Sequence, residues 1–70
     1  MKITTQKEFG NKLRKLRLEK NLTQEELADK ASLHPTYIGQ SERGLRNVTL
    51  STLYKLSKAL KIKGGKLLPF

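Results

Sequence analysis

Between Thr23 and Gly44 the chain runs TQEELADKASLHPTYIGQSERG, which reads as two short helices joined by a tight turn, the second of them polar. Thr23 precedes Gln24, Glu25 and Glu26, so its hydroxyl can accept from a free backbone N–H while the carboxylate three residues on returns the bond, as in a capping box. A helix starts there. Leu27, Ala28 and Ala31 fall at helical spacing and form one apolar face with a small residue at its centre, where a second helix can approach closely. Pro35 is tolerated only in the first turn of a helix, which makes Leu33 and His34 the approach and Pro35 to Arg43 the second helix, closed by Gly44 at C′.

A turn of about three to four residues between two crossing helices is helix-turn-helix geometry, in which the second helix enters the major groove of DNA. Residues 9 to 62 resemble the phage-repressor and Cro-like helix-turn-helix family (the Xre group) through FGNKLRKLRLEKNLTQEELADKAS, YIGQSERG and TLSTLYKLSKAL. The run SERGLRNVTLSTL, following HPTYI, also resembles the controller proteins of restriction-modification systems, a narrower branch. The expected fold is all-α, a compact repressor-like domain of five helices: four main ones and a short C-terminal turn. One domain is expected over residues 1–70, with its helix-turn-helix at 23–44.

Around the motif the periodicity supplies the supporting helices. Thr4 or Thr5 caps a first helix from Gln6 to Lys20, on which Phe9, Leu13 and Leu16 recur on the inner face while Lys7, Lys12, Lys15 and Glu19 take the others. Ile3 is placed to staple that helix. Gly10 inside it costs up to about 1 kcal/mol relative to Ala, which points to close packing against another helix. Asn21, tolerant of left-handed backbone, stops the helix, and Leu22 folds back onto the core. After Gly44 a polar loop of Leu45, Arg46 and Asn47 leads to Val48, which returns to the core, and Thr49 caps a fourth helix from Leu50 to Leu60. Its inward stripe is Leu50, Leu53, Leu56, Ser57 and Leu60, with Ser51, Thr52, Lys55 and Lys58 outside. Lys61 to Gly65 ends that helix, and Lys66 to Phe70 forms one final apolar turn.

The resemblance implies more than the pattern does. It pairs Arg17 of the first helix with Glu42 near the end of the third, it makes Gln24 a clamp on the DNA backbone, and it places a dimer interface near the last helix. Two positions depart from the family. Ser32 stands where glycine is commonest, so it either adopts a left-handed conformation or the turn differs. Ser41 stands where a large apolar residue is usual, leaving Ile38 and Leu33 to carry the packing beneath the recognition helix.

Charge points to the partner. Fifteen basic against six acidic residues give a net charge of +9, so a polyanion is expected. On a helix lying in the major groove the polar side chains opposite Ile38 face the bases: His34, Thr36, Tyr37, Gln40 and Ser41. Gln40 is the foremost base reader, since its amide can pair bidentately with adenine; Arg46 and Arg43 reach guanine or phosphate, and the Pro35 ring suits a thymine methyl. Tyr37 is assigned to a phosphate in preference to a base. Thr23 and Gln24 at a helix N-terminus, with Asn47, Thr49 and Ser51 beyond the recognition helix, complete the phosphate set, although capping is the main duty of Thr23 and Thr49.

Other classes fare worse. The chain has no cysteine and one histidine, which leaves no disulfide, no thiolate metal site and no nucleophile–base constellation, so neither an enzyme nor a metal or other cofactor is expected. The apolar stripes are used up in one core, against a membrane-surface role, and platforms for stacking unpaired bases are missing, against RNA. A soluble cytoplasmic protein is expected. About 60% of the unfolded surface is buried in a domain of this size, and that marginal core favours a homodimer. The leading expectation is a sequence-specific regulator of transcription that binds double-stranded DNA as a dimer at an inverted repeat, with no small-molecule effector. The alternative is the antitoxin of a toxin–antitoxin pair, which would add a protein partner.

Overall fold

The computed structural model describes residues 4–70, so the Ile3 staple lies outside the described residues. Four helices follow one another: α1 (Thr5–Glu19), α2 (Gln24–Ala31), α3 (Pro35–Glu42) and α4 (Leu50–Leu60), then a single 3₁₀ turn at Gly64–Lys66, with no strand among the described residues. Each α-helix has a side-chain N-cap, supplied by Thr4, Thr23, His34 and Thr49 in chain order. The Thr23 hydroxyl accepts from the Glu26 N–H at 3.0 Å and the Thr23 N–H donates to Glu26 Oε1 at 2.8 Å, closing the capping box. Its backbone bond from Thr23 holds the Glu26 carboxyl below its ordinary value of 4.5.

The core is built from Phe9, Leu13 and Leu16 of α1, Leu27, Ala28 and Ala31 of α2, Ile38 of α3, Leu56 and Leu60 of α4, and Leu67 of the tail. Leu22, Leu33, Val48, Leu53, Ala59 and Ile62 pack around it, half-buried. A leucine taken fully out of water contributes about 1.5–3 kcal/mol, and α1 and α4 are held mainly by such burial.

Three helix ends use left-handed residues other than glycine: Asn21 after α1, Ser32 after α2 and Lys61 after α4, all near φ +57°. Ser32 therefore takes the left-handed alternative, and the motif turn keeps the geometry that glycine would give it. The Leu33 N–H then donates to the Ala28 carbonyl at 2.8 Å, pointing the chain across α2 into α3.

Gly10 shows why α1 carries a glycine. A Cβ there would lie 2.4 Å from the Ser41 carbonyl oxygen and 2.6 Å from that of Glu42, so α1 and α3 meet backbone to backbone. The same contact explains Ser41. Ser41 is 1% exposed, and its carbonyl is one of the two that α1 meets at Gly10, where the helices have no backbone separation to spare.

Two expectations fail at the C-terminal side. Leu50, placed on the inward stripe by periodicity, is 84% exposed. It opens the first turn of α4, beyond the reach of the helices that cover Leu53, Leu56 and Leu60. The final turn forms at the glycines, earlier than expected, because Lys61 turns the chain and the Leu67 N–H donates to the Gly64 carbonyl at 3.0 Å, drawing Leu67 fully into the core. Lys12 Nζ donates to the Leu68 carbonyl at 3.0 Å and ties the tail to α1. No helix among the described residues is long and apolar enough to cross a membrane.

Candidate nucleic-acid interface

α2 and α3 cross with three residues between them, Ser32 to His34, and the N-terminal end of α3 stands clear of the core. His34, Pro35 and Thr36 are all exposed there. The His34 imidazole is also the α3 cap, its Nδ1 accepting from the Thr36 N–H at 3.1 Å, so the remaining nitrogen, Nε2, is the one not used by the cap. Tyr37 and Gln40, one helical turn apart, are half-buried at the outer edge of α3. Ser41, expected among the base-facing residues, is withdrawn: it is 1% exposed, so its hydroxyl cannot reach a groove, and that hydroxyl has no hydrogen-bond partner among the described residues.

A polar network fastens the two motif helices from below. Arg17 Nε donates to Glu42 Oε2 at 2.6 Å, Nη2 donates to Oε1 at 3.1 Å and Nη1 donates to the Leu22 carbonyl at 2.7 Å. Gln24 Nε2 joins by donating to Glu42 Oε1 at 3.1 Å. The carboxylate thus binds α1, α2 and α3 together, and buried charges pay their desolvation only when partnered in this way. Gln24 Nε2 carries a second N–H beyond the one given to Glu42. Gly39, a residue that sequence reasoning passed over, makes room for it, since a Cβ there would lie 3.3 Å from Gln24 Oε1. Its signal was the one used for Gly10, a glycine inside a helix.

Beyond α3, Gly44 adopts φ +77° where a Cβ would lie 2.8 Å from Lys7 Cα, so two constraints select glycine. The Leu45 N–H donates back to the Gln40 carbonyl at 2.9 Å, which swings the loop alongside α3. Arg46 then lies with its Nε donating to Gln40 Oε1 at 2.7 Å and its guanidinium carbon 5.3 Å from the Tyr37 ring centroid. Asn47 Oδ1 accepts from Gln6 Nε2, so that bond engages the amide oxygen of Asn47 and not its N–H groups. Thr49 is occupied as the α4 cap, at 3.2 Å from the Thr52 N–H, while Ser51 and Arg43 are exposed and make no side-chain hydrogen bond among the described residues. Thr23, Gln24, Thr36 and Arg43 line a single open cleft between the starts of α2 and α3.

Residues 13–67 match the family model described as helix-turn-helix. The control protein C.BamHI of Bacillus amyloliquefaciens is 51% identical over 63 residues, covering 89% of this chain and 78% of that protein. The control protein C.SmaI of Serratia marcescens is 55% identical over 60 residues, covering 86% and 71%. Among solved structures, the restriction-modification controller protein C.AhdI from Aeromonas hydrophila superposes with a TM-score of 0.87 at 45% identity, covering 89% of this chain and 94% of that one. The antitoxin alternative draws no support from these relatives.

Proposed function

The chain belongs to the helix-turn-helix family and is a DNA-binding regulator of transcription, and from that premise we propose that it is a controller-type regulator working as a homodimer on an inverted-repeat operator. The observation that carries the reading is the arrangement at α3: exposed His34, Pro35 and Thr36 lead a helix whose outer edge holds Gln40 and Arg46, beside the N-terminus of α2, on a chain of net charge +9. Helix N-termini and free amides suit phosphates; polar side chains on the outer helix suit base edges. Thr23, Gln24, Tyr37, Arg43, Asn47, Thr49 and Ser51 hold the DNA backbone, and His34, Pro35, Thr36, Gln40 and Arg46 face the bases.

The second copy docks on the face beside α4. Leu50 and Phe70, 84% and 89% exposed, line a groove with Phe9, Val48, Leu53 and Pro69, and Tyr54, one turn of α4 beyond Leu50, is 61% exposed. Occupancy would then follow protein concentration, with no small-molecule effector, in the cytoplasm where the operator lies.

Selection of bound sites from random duplex DNA, with solution mass recorded by light scattering, tests this. An inverted repeat with half-sites one helical turn apart and a dimer mass is the expected result. Binding without sequence preference that vanishes on a modest salt increase would reduce the +9 charge to non-specific attraction and overturn the reading.

A further inference from the structure

Gln40 is not a free amide. A guanidinium carries only donors, so the group that Arg46 Nε meets at 2.7 Å must be the Gln40 carbonyl oxygen, and the amide nitrogen is turned the other way. Arg46 is itself held: the Tyr37 ring lies beneath it at 5.3 Å, and the left-handed Gly44 with the Leu45-to-Gln40 backbone bond brings it back to α3. What the pair shows outward is donors alone, the Gln40 Nε2 hydrogens and the Arg46 Nη hydrogens.

Bases in the major groove differ in this respect. Adenine offers an acceptor at N7 and a donor at N6, which a free glutamine matches with both ends of its amide; guanine offers acceptors at both N7 and O6. An adenine amino group brought to the same Gln40 oxygen would meet the guanidinium's own N–H groups, donor against donor. Resting on the operator-binding reading above, we propose that Gln40 and Arg46 act as one unit that selects guanine, and that Arg46 is the positioning residue that turns Gln40 away from adenine.

The test is site selection from random duplex DNA with the full chain, its Arg46→Ala variant and the Gln40→Ala, Arg46→Ala double variant. The half-site position whose preference disappears in the double variant is the one the pair reads. The wild-type chain is expected to select guanine there, by roughly ten- to a hundredfold over other bases, and Arg46→Ala to select adenine there with the other positions unchanged. Mere loss of a phosphate contact would lower affinity at every site and alter no base. Adenine at that position in the wild type, guanine retained by Arg46→Ala, or a double variant that keeps every preference would each overturn the proposal while leaving the regulator reading in place. Failure of the wild-type chain to select any motif would overturn both.

Discussion

Beneath the motif helices the protein buries an arginine and a glutamate and surrounds them with partners; beside α4 it leaves a leucine, a tyrosine and a phenylalanine in water. The first arrangement is finished within one chain, because Glu42 receives Arg17 and Gln24 while Arg17 also serves the Leu22 carbonyl. The second is not. Leu50, Tyr54 and Phe70 have the chemistry of a core but not its burial, and the nearest device in their favour is Lys58 Nζ, 5.4 Å from the Tyr54 ring centroid. The contrast separates two jobs. One region fixes the angle between α2 and α3 and must do so before DNA arrives, whereas the other suits contact with a second copy.

Breaking the finished region has the largest effect. Arg17→Ala leaves the Glu42 carboxylate buried without its counter-charge and is expected to cost about 3–5 kcal/mol in chemical denaturation, at any protein concentration. Replacing both residues together, Arg17→Met with Glu42→Leu, removes the orphaned charge and costs much less. A small loss from Arg17→Ala alone would mean that the network is incidental to the fold.

The open region responds differently. Leu50→Lys with Tyr54→Lys removes little from the interior, so a monomer should keep its fold, but the dimer mass should be lost. Apparent stability falls by the linkage term, about 2.7 kcal/mol where the partner stands at a hundred times its Kd, and melting no longer depends on concentration. If light scattering and melting are unchanged, the second copy docks elsewhere.

How far the two regions were legible in the sequence follows the same division. The Thr23–Glu26 box, Pro35 at the start of α3 and the stop at Asn21 depend on residues a few positions apart, so the sequence suffices for them. Gly10 was legible too, since a glycine inside a helix announces close approach, though not what approaches. Ser41, Leu50 and Arg46 depend on distances between elements. Whether Ser41 faces DNA or α1 is decided by how near α1 comes, whether Leu50 is core is decided by where its neighbours end, and the Arg46–Gln40 bond needs the φ of Gly44. No periodicity carries that information.

Helix ends sharpen the comparison at a smaller scale. Ser32, in the motif turn, and Lys61, at the end of α4, hold the same left-handed geometry at φ +56° and +57°. Ser32→Gly and Lys61→Gly should each stabilise by about 1 kcal/mol in thermal or denaturant melts, because the strain is local and indifferent to which region it serves. A gain at Lys61 with none at Ser32 would show that the motif turn owes its shape to the packing of α2 on α3 and not to the residue.

The smallest effect distinguishes the caps of the two regions. Thr23 is answered by the Glu26 carboxylate, whereas Thr49 is answered by Thr52, a hydroxyl that does not titrate. The bond from the Thr23 N–H keeps Glu26 below its ordinary value of 4.5, so folding favours its ionised form. That contribution is complete above about pH 4.5 and is lost as pH falls through the lower folded value. Hydrogen exchange, corrected for intrinsic rate, should therefore show the Thr23 amide losing protection on acidification while the Thr52 amide, bonded to the Thr49 hydroxyl, keeps it, and Glu26→Gln should abolish the pH dependence at Thr23. Parallel loss at both amides would instead mean that acid loosens the whole domain and that the Glu26 bond is not what acidification removes at Thr23.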